Sequence, residues 1–271
     1  KEVNPHRVGL STGYLYNMKT FQEVLDAYEK QLTFFVKWHA MHINNFEYVA
    51  REQLPLPVVS CTMEGCMESG KDVMYGGAKY NSTGMAGVGI GNVADCLYMI
   101  KHLCFDTKEV STRELYDALI NDWKGYEDLQ RRIQNECRHY GNGYPEVDQW
   151  ADWAGEVFAK AVTSCTGPRG RYAPGLYPVT TNVMFGFMTG ATPDGRNAGQ
   201  PLADGISPVQ QMDKNGPTAI LSSVSKIKQV HYSNGTLLNM KFSPSCLQGE
   251  EGIRKLTQLM QTYFDMGGME M

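Results

Sequence analysis

The 271-residue sequence predicts an α/β fold, on three observations. Several stretches place apolar side chains at helical spacing, and two of them open with capping boxes. A β-rich run at residues 177–187 is bracketed by glycine and proline, which permit or impose special backbone angles. Two further strand-like runs follow it at 219–228 and 237–242. No repeat, low-complexity segment or linker divides residues 1–271, so the chain reads as a single unit.

The elements follow in order. Thr20-Phe21-Gln22-Glu23 is the first capping box, and Phe21, Val24, Leu25, Tyr28, Leu32, Phe35 and Val36 continue at helical spacing. A long amphipathic helix is expected from 21 to the mid-40s. Pro55 and Pro57 end it, residues 58–61 form a short buried run, and 66–77 form a helix end and turn. Residues 76–91 are a glycine-dense loop in which 80–86 make a poor strand; the loop feeds a helix at 92–103. Ser111-Thr112-Arg113-Glu114 starts a helix carrying Leu115, Leu119 and Trp123, and another helical segment covers 127–137. Pro145 suits the first position of the next helix, whose stripe is Val147, Trp150, Ala154, Val157 and Phe158. Ser233-Asn234-Gly235 marks a turn, and 252–263 form a last helix with Ile253, Leu256, Leu259 and Met260 inward.

Composition excludes several function classes. Hydrophobic residues make up 42% and charged residues 20%, and the net charge is −4. There is no basic block, so nucleic acid is not an expected partner. No apolar run approaches the roughly 20 residues that cross a bilayer, and no signal peptide opens the chain. Seven cysteines without a C-x-x-C imply free thiols, no zinc site and a reducing cytoplasm. The chain begins Lys1-Glu2-Val3, which suggests a trimmed or partial chain.

Four motifs have both a chemical and a plain structural reading. Gly89-Ile90-Gly91-Asn92-Val93-Ala94 fits G-x-G-x-x-A, yet it lacks a good preceding strand and a following acidic strand end; close packing of a loop on a helix is the better reading. His39 and His42 share a helix face without further ligands nearby, and Asp204 and Asp213 sit in polar turn sequence. Gly65-Cys66-Met67-Glu68 sets a thiol two residues before a carboxylate, and the family resemblance below supplies both a catalytic and a structural reading of that pair.

The densest constraint lies in Pro168-Arg169-Gly170-Arg171-Tyr172-Ala173-Pro174-Gly175-Leu176-Tyr177-Pro178, followed by Thr189-Gly190-Ala191-Thr192-Pro193-Asp194-Gly195-Arg196-Asn197. With Gly76-Gly77-Ala78-Lys79-Tyr80-Asn81, Asn234-Gly235-Thr236-Leu237-Leu238-Asn239 and Tyr263-Phe264-Asp265-Met266-Gly267-Gly268, in this order, it resembles the glycyl radical enzymes across nearly the whole chain. The match is closer to the dehydratase/decarboxylase branch than to pyruvate formate-lyase itself. In that family a non-catalytic C-x-x-x-G-K-D-V segment precedes G-G-A-x-Y-N. Cys66 to Val73 matches it, which makes Cys66 structural.

The resemblance implies a barrel of two parallel half-sheets wrapped in helices, of which residues 1–271 are one segment, incomplete at both ends. The catalytic cysteine loop and the R-V-x-G-Y radical motif do not occur in these residues, so no catalytic residue is expected here and the segment alone should be inactive. The full-length activity implied is that of a lyase eliminating water, carboxylate or a similar group from a small organic substrate. Alternatives are a formate C-acetyltransferase-type enzyme or a non-catalytic segment completed by a partner chain. The implied radical is installed on the protein by a separate S-adenosylmethionine-dependent activase, with no bound organic cofactor or metal. Implied partners are that activase, the missing part of the barrel and, at full length, a second copy in a homo-oligomer. Tyr177 matches a family tyrosine at the substrate pocket; a core tyrosine bonded to backbone is the other reading. Tyr80, Asn81 and Asn182 are the remaining candidate substrate contacts.

Overall fold

The computed structural model describes residues 8–178 and 180–271. Ten α-helices are found among them: α1 (Phe21–Gln53), α2 (Pro57–Thr62), α3 (Cys66–Ser69), α4 (Ile90–Met99), α5 (Thr112–Ile120), α6 (Glu127–Glu136), α7 (Pro145–Thr163), α8 (Thr181–Met188), α9 (Pro217–Val224) and α10 (Gly249–Asp265). The strands are β1 (Thr83–Ala86), β2 (Thr166–Gly167) and β3 (Gly170–Gly175), in the order β1-β3-β2. β1 runs parallel to β3, with Thr83 opposite Tyr172 and Ala86 opposite Gly175, and β2 and β3 form a tight hairpin.

Both N-caps form. Thr20 accepts from the Glu23 N–H at 3.4 Å while the Glu23 carboxylate accepts from the Lys19 N–H, and Ser111 accepts from the Glu114 N–H. Helix α1 extends past the expected mid-40s to Gln53. Its later turns are anchored from across the chain. Glu47, buried, accepts from Thr83 and from both Nε and Nη2 of Arg169, and Tyr172 donates to the Ala40 carbonyl. Pro145 stands at the start of α7 as expected. Val147, Ala151, Ala154, Phe158 and Val162 of α7 are buried in the main core, where α7 packs against α1, α4 and β3.

Five expectations are corrected. The run at 177–187 is not a strand: the strand lies upstream, in β3, and Thr181 to Met188 form α8. Pro178 has no N–H for a sheet, Thr180 turns into the left-handed region at φ 64°, and the Thr181 N–H donates to the Pro178 carbonyl, closing a helical turn. Residues 219–228 likewise open as helix α9, with Pro217 at its first turn and Ile220, Leu221 and Val224 buried on one face. The run at 58–61 belongs to α2, where Val58 and Val59 are exposed and only Ser60 is buried. The poor strand at 80–86 contains a real one, β1, whose glycine leaves space for a neighbouring group. Of 237–242, only Leu237 makes a bridge, to Glu270, beside a second bridge between Thr236 and Leu176.

A buried polar cluster ties α4 to the segment before α7. Asp95 accepts from the Tyr140 N–H at 2.6 Å and faces His139 Nδ1 at 3.1 Å, while His139 Nε2 faces the Ile133 carbonyl at 2.9 Å. Both ring nitrogens meet acceptors, which favours the imidazolium. Burial opposes that charge, but Asp95 outweighs it and the His139 pKa is raised. Burial pushes the Asp95 carboxyl up to about 6, and does the same to Asp148 on α7.

Candidate functional site

The C-terminal end of β3 is the point where the chain leaves the sheet, and ligands of parallel α/β sheets gather at such ends. Leu176 is buried and bridged to Thr236; Tyr177 follows, half-buried. Its ring folds back over the Cα of Gly175, where a Cβ would collide with it. The Tyr177 hydroxyl accepts from Nδ2 of Asn234. Among the described residues the hydroxyl's contact is this amide rather than a backbone carbonyl.

The register of β1 and β3 puts the other candidates elsewhere. Tyr80 and Asn81 precede β1, at the N-terminal end of the parallel pair, while Tyr177 follows its C-terminal end. Tyr80 is 83% exposed, and the Lys79 ammonium lies 5.6 Å from its ring centroid. Asn81 is half-buried, with its amide against Gly76. Asn182 is buried on α8, and its amide donates to the Leu202 carbonyl at 3.2 Å while its own carbonyl accepts from the Leu202 N–H. Asn182 therefore holds α8 to the following loop.

That loop is built around Arg196. The buried guanidinium donates to the carbonyls of Thr189, Gly190, Asn197 and Gln200 and to the Thr192 hydroxyl. Asp194, also buried, accepts from Thr192, from the Arg196 N–H and from Asn92. Asn92 in turn accepts from the Ala203 N–H at 2.6 Å, and a Cβ on Gly91 would lie 2.8 Å from the Ser207 carbonyl oxygen. The glycines of the G-x-G-x-x-A motif are thus used for close packing, and the start of α4 is covered by protein. Arg196, Asp194 and Asn234 were not singled out from sequence. All three appear there within motifs that carry the family resemblance, Asn234 also within a turn, and none was given a role of its own.

The Cys66 segment is a closed structural knot. Gly65 sits at φ 97°, and a Cβ there would lie 2.6 Å from the Lys79 nitrogen. Glu68 accepts from the Gly65 N–H at 2.9 Å, so its carboxylate caps α3. Burial, then Asp72 and Glu68, push the Cys66 thiol up, away from thiolate character. Asp72 is held low by hydrogen bonds from Ser60 and from the Met74 N–H. All seven cysteines are free thiols. Among the described residues no group of three or more His, Cys, Asp or Glu is placed to hold a metal ion. His39 and His42 are exposed, and His42 stands edge-on to Trp38. Asp204 is bound by the Asn239 amide at 2.7 Å. No helix among the described residues is long and apolar enough to cross a membrane.

The sequence matches the pyruvate formate lyase-like family over residues 1–186 and the glycine radical family over residues 202–271. It is 34% identical over 270 residues to trans-4-hydroxy-L-proline dehydratase of Clostridioides difficile, covering 98% of this chain and 34% of that protein. It is 35% identical over 263 residues to (2S)-3-sulfopropanediol dehydratase of Klebsiella oxytoca, covering 95% of this chain and 32% of that protein. Its fold superimposes with a TM-score of 0.94 on the glycerol-bound B12-independent glycerol dehydratase of Clostridium butyricum, at 42% identity, over 98% of this chain and 34% of that one. The chain thus spans about one third of the length of the relatives it matches.

Proposed function

We propose, from the premise that the chain belongs to the pyruvate formate lyase-like family, that it is one part of a glycyl radical lyase eliminating water, carboxylate or a similar group from a small organic substrate. The observation that carries the reading is the similarity, over nearly all of this chain, to dehydratases named for three different hydroxylated compounds. The 271 residues contain no R-V-x-G-Y sequence, and Cys66 is buried in a structural segment. The contribution of this part is therefore to the barrel wall and to substrate placement. The radical would be installed by a separate S-adenosylmethionine-dependent activase, in a reducing cytoplasm where the free cysteines persist.

Tyr177 is the residue proposed to meet substrate. It stands at the end of β3 that faces away from the Tyr80 loop, and its hydroxyl has capacity beyond the Asn234 contact. Asn182 supports this wall from behind, and Tyr80 and Asn81 are proposed as a more distant rim. Val183, Met184, Phe185, Phe187 and Met188 of α8 are all exposed. We assign their cover to the remainder of the barrel, consistent with relatives about three times as long.

The test uses the full-length protein with its activase, and glycerol, 1,2-propanediol and trans-4-hydroxy-L-proline as probes. The expected result is a glycyl doublet in the electron paramagnetic resonance spectrum and elimination from at least one probe or a close analogue. Tyr177→Phe should lower kcat/KM by the equivalent of about 1–3 kcal/mol, the cost of an unpaired polar partner, with a smaller change in stability. Cys66→Ala should keep most of the turnover. A radical-bearing enzyme that eliminates nothing from hydroxylated, carboxylated or sulfonated substrates would overturn the lyase reading.

A further inference from the structure

We infer that Asn234 is a positioning residue that makes the Tyr177 phenol a hydrogen-bond donor toward substrate oxygen; the inference rests on the substrate-facing role proposed for Tyr177. A phenol has one proton and an oxygen that also accepts. Asn234 Nδ2 faces that oxygen and donates to it. The phenol proton is then left for another acceptor, and a hydroxyl that accepts one bond donates a stronger one. A neighbour that could only accept would consume the proton instead.

Three contacts hold the Asn234 side chain at this place. The Asn234 N–H donates to the Pro174 carbonyl of β3 at 3.1 Å. Gly235, at φ 96°, sends its carbonyl to the Leu176 N–H at 2.9 Å, so the turn cannot drift along the strand. The amide itself occupies the space over Gly84 of β1, where a Cβ would come within 2.9 Å of Asn234 Cγ. Gly175 does the same for the Tyr177 ring. One glycine on each of two paired strands is therefore used to seat one partner each. In β1, Thr83 and Met85 are buried while Gly84 and Ala86 are exposed, so the Asn234 amide lies on the face of β1 turned away from the helical core. That is the face a substrate could reach. Its acceptor would be a hydroxyl, carboxylate or sulfonate oxygen.

The test has two arms. In the full-length protein before activation, the phenol C–O stretch of Tyr177 is isolated as the infrared difference between wild type and Tyr177→Phe, with ring-labelled tyrosine. It should lie at the low frequency of an accepting phenol. It should shift upward in Asn234→Asp, which forces the phenol to donate, and move less in Asn234→Ala. An unshifted band in Asn234→Asp overturns the contact. In the activated full-length enzyme, with whichever probe above is turned over fastest, Asn234→Asp should lower kcat/KM at least as far as Tyr177→Phe, roughly 10–100-fold. Asn234→Ala should lower it less. Neither Asn234 change should lower it further in a Tyr177→Phe background, because both act through one hydroxyl. Multiplying losses in that background would make Asn234 a purely structural residue and overturn the inference. If Tyr177→Phe loses nothing, the substrate role of Tyr177 fails, and the infrared arm still decides the hydrogen bond. If Tyr177→Phe loses activity and both Asn234 variants do not, only the inference fails.

Discussion

Helix α8 and the loop that follows it come from one glycine- and proline-rich stretch, yet they dispose of their side chains in opposite ways. The loop at 189–205 turns inward: Asp194 and Arg196 are buried, and their polar atoms are bound to backbone carbonyls, Thr192 and Asn92. Helix α8 turns outward. Only Asn182 and Gly186 are buried, four residues apart on one face, and five large apolar side chains are exposed. The difference separates what this chain completes by itself from what it presents to something else. A buried charge must be satisfied locally, so the loop carries its own partners. Exposed apolar side chains leave no hydrogen bond unmade, and burying them stabilises only when a surface arrives to cover them.

The largest expected effect falls on the self-contained side. Arg196→Ala strips donors from carbonyls of the loop at once. Urea unfolding of this chain should show a loss of about 3 kcal/mol, as expected when bonds to a buried charge are removed. A loss under 1 kcal/mol would mean that water replaces the guanidinium and that the loop is not a closed unit.

Gly186→Ala tests the seam between the two regions. A Cβ there would meet the Gln200 carbonyl and Pro201, which are backbone and ring atoms without freedom to move. The cost should be about 1–3 kcal/mol in the same measurement, typical of overpacking. An unchanged midpoint would show that α8 is not docked through this face.

A pH titration sharpens the contrast between buried and exposed groups, because the helical interior around α4 and α7 carries His139, Asp95 and Asp148 and α8 carries no ionisable group. All three pKa values are raised in the folded chain, so the folded state holds protons more tightly than the unfolded chain. The stability they contribute is full below the unfolded values, about 4 for the carboxyls and about 6.5 for histidine. It falls as pH rises through about 6 for Asp95 and Asp148, and through the raised value for His139. The melting temperature should therefore drop from about pH 4 to about pH 6 through the carboxyls, and further above about pH 6.5 through His139. His139→Gln should remove the upper part of that drop. A flat profile would show that the cluster does not titrate with folding.

The smallest effect belongs to the exposed side. Met184→Ser and Phe187→Ser should change the stability of this chain by no more than about 0.5 kcal/mol, as for most surface changes. Each should reduce binding of a hydrophobic dye. A large destabilisation would place these side chains in a core of the chain itself.

The legible part of the fold was the part written in local physics. Thr20 and Ser111 caps, Pro145 at a helix start and the stripe of α7 all depend on residues within a turn or two of each other. The illegible part depended on distant partners. A run such as Thr181 to Met188 is apolar enough for a strand or a helix, and only the Pro178 to Thr180 turn decides between them. β1 was undervalued because Gly84 weakens a strand in isolation, and its reason lies in Asn234, far along the chain. At the site, Tyr177 could be chosen from its bracketing glycine and proline and from family likeness. Asn234 could not, since the same Ser233-Asn234-Gly235 sequence serves any turn.

The tie between the start of the sheet and the first helix has a consequence in time. Glu47 and Arg169 are 122 positions apart, and Tyr172 reaches Ala40 across 132. Contacts that close such long loops are entropically late, whereas the α4 and α7 region can condense from nearer neighbours. The strands are therefore expected to assemble last, onto a helical scaffold already in place. In a refolding experiment read by pulsed hydrogen exchange, the amides of α7 should become protected before those of β1 and β3. Any lesion confined to Arg169 should then slow the final phase and leave the first untouched.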